Sequence, residues 1–178
     1  MMTRFSSLAL LLAVAWTPAK LDAQSVGVEA GLAGIENYDP FTPSLGASLH
    51  IPVAERLSVS ATYARWTGRD GNESAFAPPG VSRFGYGNQA FLITGLVRIL
   101  GSEGLTTSLG AGAGWFQHFT AVGGEAETHY DSTPVGTLVV RYPLNNRLAP
   151  YLRADVQIPS EPVVHYGLVR LGVDIQLR

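Results

Sequence analysis

The stretch Val169-Arg170-Leu171-Gly172-Val173-Asp174-Ile175-Gln176-Leu177-Arg178 decides the fold. Val169, Leu171, Val173, Ile175 and Leu177 alternate with residues that are polar, charged or glycine, a strict period of two. In a strand, successive side chains point to opposite faces, so this is a β-strand with one apolar and one polar face. The same alternation recurs in Val26, Val28, Ala30 and Leu32, in Leu45, Ala47, Leu49 and Ile51, and in Leu57, Val59, Ala61 and Tyr63. Further strands are expected over about Tyr86 to Ile99, Leu105 to Phe119, Thr133 to Tyr142 and Leu148 to Ile158, with the last strand starting near Val164. No long stretch keeps a 3.6-residue apolar period, which argues against a helical bundle.

The expected count is therefore eight strands, and the connections between them alternate in length. Gly34 to Pro43 reads as medium, Thr67 to Gly85 and Thr120 to Ser132 as long, whereas Pro52 to Arg56, Leu100 to Gly104 and Pro143 to Arg147 are short. Pro159 to Val163 is a brief last loop on the long side. Membrane barrels have this asymmetry of tight turns at one end and longer loops at the other. The chain, at 178 residues, leaves no expected room for a second domain after the last strand.

Ahead of the strands, Arg4, the apolar run Leu8 to Trp16 and Leu21-Asp22-Ala23 read as a secretory signal peptide over residues 1–23, cleaved after Ala23. A membrane anchor needs about 20 apolar residues, and this run stops at Thr17-Pro18. The expected mature domain is 24–178. It has ten arginines, no lysine and thirteen acids, a net charge of −3, which is no nucleic-acid-binding surface. With no cysteine, disulfides, thiolate metal sites and a cysteine nucleophile are excluded.

Which face is outside follows from charge. Soluble domains carry about 25% Asp, Glu, Lys and Arg, against 15% here. A lipocalin-like soluble carrier, the alternative barrel, would clothe its outside in charged residues. Here the charges Glu29, Arg98, Arg141, Arg153, Asp155, Arg170 and Asp174 fall on the positions opposite the apolar set, where they need to pair inside a narrow lumen. Aromatic residues gather near expected strand ends: Tyr38, Phe41, Tyr63, Trp66, Phe84, Tyr86, Trp115, Phe116, Phe119, Tyr130 and Tyr166 on the loop side, Tyr142 and Tyr151 on the turn side. Such girdles mark membrane interfaces. The fold class expected is all-β, an eight-stranded antiparallel up-and-down transmembrane β-barrel.

Two local patterns carry a family resemblance. Leu109-Gly110-Ala111-Gly112-Ala113-Gly114-Trp115-Phe116 is similar to a glycine-alternating strand, and Arg170-x-Gly172-x-x-Ile175-x-Leu177 resembles a C-terminal assembly signal, both found in small bacterial outer-membrane β-barrels of the OmpA and OmpX type. The family pattern ends in an aromatic residue, whereas this chain ends Leu177-Arg178. The resemblance implies the outer membrane of a Gram-negative-type bacterium, periplasmic termini, recognition by the outer-membrane assembly machinery, and contact with membrane lipids and lipopolysaccharide.

Chemistry is sparse. Gly110, Gly112 and Gly114 keep period two and lack the helix start of a phosphate-binding loop. Asn72-Glu73-Ser74 is a glycosylation sequon that marks a loop. His50, His118, His129 and His165 are scattered without metal-ligand spacing, so no metal, cofactor or catalytic residue is expected. One enzymatic alternative is a lipid A acyl hydrolase built around His118 with Thr120, Glu125, Glu127 and Ser132, although a serine is wanted where Thr120 stands. A narrow channel is a further alternative; eight strands enclose a space that side chains fill. The expected function is a non-enzymatic barrel serving envelope integrity or surface contacts. Its longest loop carries Arg69-Asp70-Gly71-Asn72-Glu73 with Phe76, Pro78 and Pro79 as a mixed tip for an unknown ligand.

Overall fold

A computed structural model describes residues 24–35, 39–66, 70–71, 83–85, 89–101, 104–122, 125–158 and 166–177. Ten strands follow one another: β1 (Ser25–Ile35), β2 (Asp39–Pro52), β3 (Leu57–Trp66), β4 (Asp70–Gly71), β5 (Arg83–Gly85), β6 (Gln89–Leu100), β7 (Thr106–Val122), β8 (Glu125–Arg141), β9 (Leu148–Gln157) and β10 (Tyr166–Gln176). Eight of them form the wall. Each pairs antiparallel with its neighbours in the ring β1-β2-β3-β6-β7-β8-β9-β10, and β10 closes onto β1 from Ser25 opposite Gln176 to Ile35 opposite Tyr166. No helix among the described residues is long and apolar enough to cross a membrane.

The alternation sets the inside and the outside. Val28, Leu45, Leu152, Val169, Leu171, Val173 and Ile175 are exposed outward, Leu171 at 68%. Their strand neighbours Glu29, Arg153, Asp155, Arg170 and Asp174 are buried in the lumen, Arg170 at 0%. A soluble barrel has the opposite arrangement, so the lipocalin-like alternative is overturned: the apolar face is the outer one. Strands of ten residues rising about 3.3 Å each and tilted by roughly 40° stand about 25 Å tall, the height of an outer-membrane apolar band.

Several expected boundaries move. β1 and β2 pair as far as Ile35 opposite Asp39, across a bulge after Ala33, so the medium loop expected over Gly34 to Pro43 is mostly strand. The loop expected over Thr120 to Ser132 is a hairpin: β7 and β8 stay in register from Thr106 opposite Arg141 to Val122 opposite Glu125. Above the lipid band no face needs to be apolar, so the alternation lapses there while backbone pairing continues. The short turns 53–56 and 142–147 are as expected. The turn after β6 bends through Gly101, whose φ of 82° lies in the left-handed region that favours glycine.

The expected leader 1–23, Tyr38, Arg69, the sequon Asn72 to Ser74 with Phe76, Pro78 and Pro79, Tyr86, the loop 159–163, Val164, His165 and Arg178 lie outside the described residues. The side chains of Phe41, Phe84, Phe119, Tyr166, His118 and His129 do so too.

Candidate functional site

The lumen is filled in layers. Toward the loop side, Ala33, Ala64, Trp66, Ala90, Leu92, Phe116, Val135 and Leu168 form an apolar layer across the bore. Trp66 and Phe116, expected in the interfacial girdle, therefore face inward. Their positions share parity with Ala64 and Gly114, and Gly114 supplies the room: a Cβ there would lie 2.6 Å from Phe116 Cε2 and from Val135 Cγ2. Outside, Tyr63, Trp115, Tyr130 and Tyr142 are exposed, as an interfacial girdle requires. Phe91, absent from the expected set, joins them on Trp115 with ring centroids 5.8 Å apart.

Beneath the apolar layer lies a charge network. Arg170 Nη1 stands 2.7 Å from Glu29 Oε2, and its Nη2 reaches Asp155 Oδ2. Arg153 Nε donates to Asp155 Oδ2 at 2.8 Å and Oδ1 at 3.0 Å. The same guanidinium spans the bore to Ser60 Oγ at 2.7 Å and Thr94 Oγ1 at 3.3 Å. Thr137 Oγ1 donates to Asp155 Oδ1 at 2.7 Å, and Tyr151 OH to Glu29 Oε1 at 2.7 Å. Nearer the turns, Arg141 pairs with Asp174. Three guanidiniums thus face three carboxylates, which is how a narrow, low-dielectric bore tolerates charge.

The expected inward set holds with one exception. Arg98 sits at the turn end of β6 and donates from Nη2 to the Glu55 carbonyl at 2.8 Å, outside the network. Tyr151, expected on the turn-side girdle, is a lumen residue, buried against Ser48 and Glu29. Its space comes from Gly172, where a Cβ would lie 2.5 Å from Tyr151 Cζ. Gly31 and Gly46 leave room for Arg170: a Cβ there would lie 2.8 Å from its Cγ and 3.2 Å from its Nη1, respectively.

Of the chemical candidates expected around His118, only Ser132 has a described side chain. Ser132 is opposite Trp115, whose side chain is outward. The side chains of His118, Thr120, Glu125 and Glu127 lie outside the described residues. Thr120 pairs with Glu127, and His118 pairs directly with His129. His50 is half-buried near the turns, opposite Ser25 and Ser60. Among the described residues no cluster could hold a metal ion.

A cavity of about 180 Å³ opens at the turn side between Arg141, Arg147, Asp174 and Gln176, and the network and apolar layer stand above it. A shallow hollow of about 710 Å³ lies on the outer wall among Val28, Leu45, Leu152, Leu171 and Val173. Its lining belongs to the apolar surface of the band.

On the loop side the wall extends into a small sheet. β7 and β8 each run 17 residues, against ten in β3 and β9. Seven residues at about 3.3 Å each carry the hairpin roughly 20 Å further along its axis. β5 pairs with the upper part of β7, Phe84 opposite Thr120, and β4 pairs with β5. The two loops expected to be separate are thus joined in one sheet on the rim.

No protein-family model matches the chain, and no curated protein matches it. Among solved structures, Ail, the attachment invasion locus protein of Yersinia pestis, in complex with the heparin analogue sucrose octasulfate, is similar at 13% identity and a TM-score of 0.59, over 87% of this chain and 97% of that one. Neisserial surface protein A is similar at 12% identity and a TM-score of 0.59, over 86% and 96%. The N-terminal β-barrel domain of Pseudomonas aeruginosa OprF is similar at 12% and 0.58, over 86% and 97%. The chain has the fold of these small outer-membrane β-barrels.

Proposed function

We propose that this chain is a non-enzymatic outer-membrane protein whose plugged barrel holds a rim sheet at the cell surface for contact with other molecules. The observation that carries the reading is the contrast between the two ends. Among the described residues the bore is filled by an apolar layer over a neutral charge network, while β4, β5, β7 and β8 build a sheet beyond the wall. Function carried on segments held by a rigid scaffold is the usual division of labour. Residues 1–23 act as the leader, the termini and short turns lie in the periplasm, and the C-terminal strand is read by the assembly machinery. Lipids and lipopolysaccharide surround the band. The heparin analogue held by Ail raises a sulfated sugar as a ligand class, but β8 carries Glu125, Glu127 and Asp131 on this hairpin, whose charge repels a polyanion.

The test is a rim deletion. Residues 118–129 are replaced by a two-residue turn in a Gram-negative host expressing the chain. Insertion is checked by the mobility difference of boiled and unboiled protein in electrophoresis. Loss of adhesion to cultured cells and of serum survival, with insertion intact, is expected; unchanged phenotypes overturn the reading. Planar-bilayer recordings of the intact protein are expected to be silent, and steady conductance would favour the channel.

A further inference from the structure

The outward face of the wall is not the same on all sides. Among the outward positions of the eight wall strands whose side chains are described, Arg65 on β3 bears the one charge. It is exposed and has no carboxylate partner among the described residues. The described outward aromatics of the loop side, Tyr63, Phe91, Trp115 and Tyr130, lie on the four consecutive strands β3, β6, β7 and β8. Register sets them in tiers. Tyr63 opposite Phe91 and Phe91 opposite Trp115 form the lower tier, and Arg65 opposite Gln89 begins an upper one about 6–7 Å nearer the loops. At the same end β9, β10, β1 and β2 present Val156, Val169, Leu32 and Leu45.

Hydrogen bonds fix the upper tier. Tyr63 OH donates to Gln89 Oε1 at 3.0 Å, and Gln89 Nε2 donates to Tyr130 OH at 3.3 Å. The Tyr130 hydroxyl proton, the second amide proton of Gln89 and the guanidinium of Arg65 are left over, so the tier offers donors and one positive charge. Phosphate and sugar oxygens are the acceptors such a ledge suits, and the rings below it meet the C–H faces of sugars. Three inter-strand steps of about 4.8 Å put β3 and β8 about 14 Å apart across the wall. A phospholipid headgroup covers a strand or two of that width, whereas a phosphorylated disaccharide spans it. Asp131, next to Tyr130, belongs by strand alternation to the opposite face. We propose that Arg65, Gln89 and Tyr130, above Tyr63, Phe91 and Trp115, form a docking site for one phosphorylated glycolipid of the outer leaflet. The proposal rests on the orientation given above, with the loop side at the cell surface. The rim sheet rises from the same β7 and β8, so the bound headgroup would stand at its base.

The experiment adds diphosphorylated lipid A to the chain refolded in detergent micelles and counts bound lipid by native mass spectrometry, with phosphatidylglycerol and dephosphorylated lipid A as competitors. One lipid A per chain is expected at micromolar concentration, with either competitor weaker by about tenfold or more. Arg65→Gln is expected to weaken binding about tenfold and Gln89→Ala about threefold to tenfold, while Leu171→Ala, on the aliphatic side, leaves it unchanged. The boiled-against-unboiled mobility shift confirms that every variant is folded, and the dependence on phosphate is read without any variant. Equal binding of phosphatidylglycerol overturns the proposal, as does binding indifferent to the phosphates or unaffected by both Arg65→Gln and Gln89→Ala. Replacement of residues 118–129 leaves every residue of the ledge in place, and lipid binding is measured on the purified protein. Failure of the ledge and failure of the rim's role in surface contact are therefore distinguished.

Discussion

Asp155 is the residue on which the lumen network turns, and Asp155→Asn is the perturbation that tests it. Its carboxylate accepts both hydrogen bonds from Arg153 Nε, one from Thr137, and pairs with Arg170. It is 3% exposed. The substitution keeps the shape and removes one negative charge, leaving Arg153 with only the hydroxyls of Ser60 and Thr94. At an effective dielectric of about 20, a unit pair at about 4 Å is worth roughly 4 kcal/mol before desolvation. Asp155 holds two such partners, and its own burial cost disappears with its charge. Removing one member of a buried pair costs about 3–5 kcal/mol, which is the expected loss of unfolding free energy. Against a total stability of about 5–15 kcal/mol this is a large share. The assay is reversible urea unfolding of the refolded barrel in lipid vesicles, followed by tryptophan fluorescence. The double variant Asp155→Asn with Arg153→Gln removes the stranded charge as well and is expected to recover half or more of the loss. A single-variant loss below about 1 kcal/mol would refute the reasoning, and so would a double variant whose loss equals the sum of the singles within about 0.5 kcal/mol.

The remaining predictions follow from the wall and the packing. Val173→Arg on the outer face is expected to cost about 2–4 kcal/mol, whereas Thr128→Arg on the rim hairpin costs less than about 0.5 kcal/mol; equal losses in vesicle unfolding would contradict the assignment of faces. Phe116→Ala removes a fully buried ring from the apolar layer and is expected to cost about 3–5 kcal/mol by the same assay. Gly172→Ala forces a Cβ against Tyr151 and is expected to cost about 1–3 kcal/mol, a loss that Tyr151→Ser in the same chain relieves.

Most of the wall was legible in the sequence because the lipid band imposes a rule on every strand that crosses it. Val169 to Leu177, or Val26 to Leu32, can alternate in only one way if one face meets hydrocarbon and the other meets arginine and aspartate. The lumen charges followed from the same parity, and six of the seven expected inward positions join the network. The aromatics were read differently, by nearness to strand ends, and that is where the reading failed. Trp66, Phe116 and Tyr151 each stand an even number of steps from a lumen residue, namely Ala64, Gly114 and Arg153, so parity alone places them inside. Gly172 opposite Tyr151 and Gly114 two residues before Phe116 carried the complementary signal, a space left for a ring. Beyond the rim the rule ceases to act. The strand was expected to end at Phe119, and the residues from Thr120 to Ser132, rich in threonine, glutamate and glycine, read as loop. The direct pairing of His118 with His129 was invisible for the same reason: spacing along the chain does not give register across a turn whose position is unknown.

The central claim is that the odd-numbered face of β10 meets lipid and the even-numbered face meets the lumen. The chain has no cysteine, so each introduced one is a unique reporter. A nitroxide placed in turn at positions 168 to 175 and read by its collision rates with oxygen and with a water-soluble nickel chelate measures this directly in vesicles. Oxygen access peaking at 169, 171, 173 and 175, with minima at 168, 170, 172 and 174, is the predicted result. A period of two with the opposite phase, or no period at all, would contradict the account.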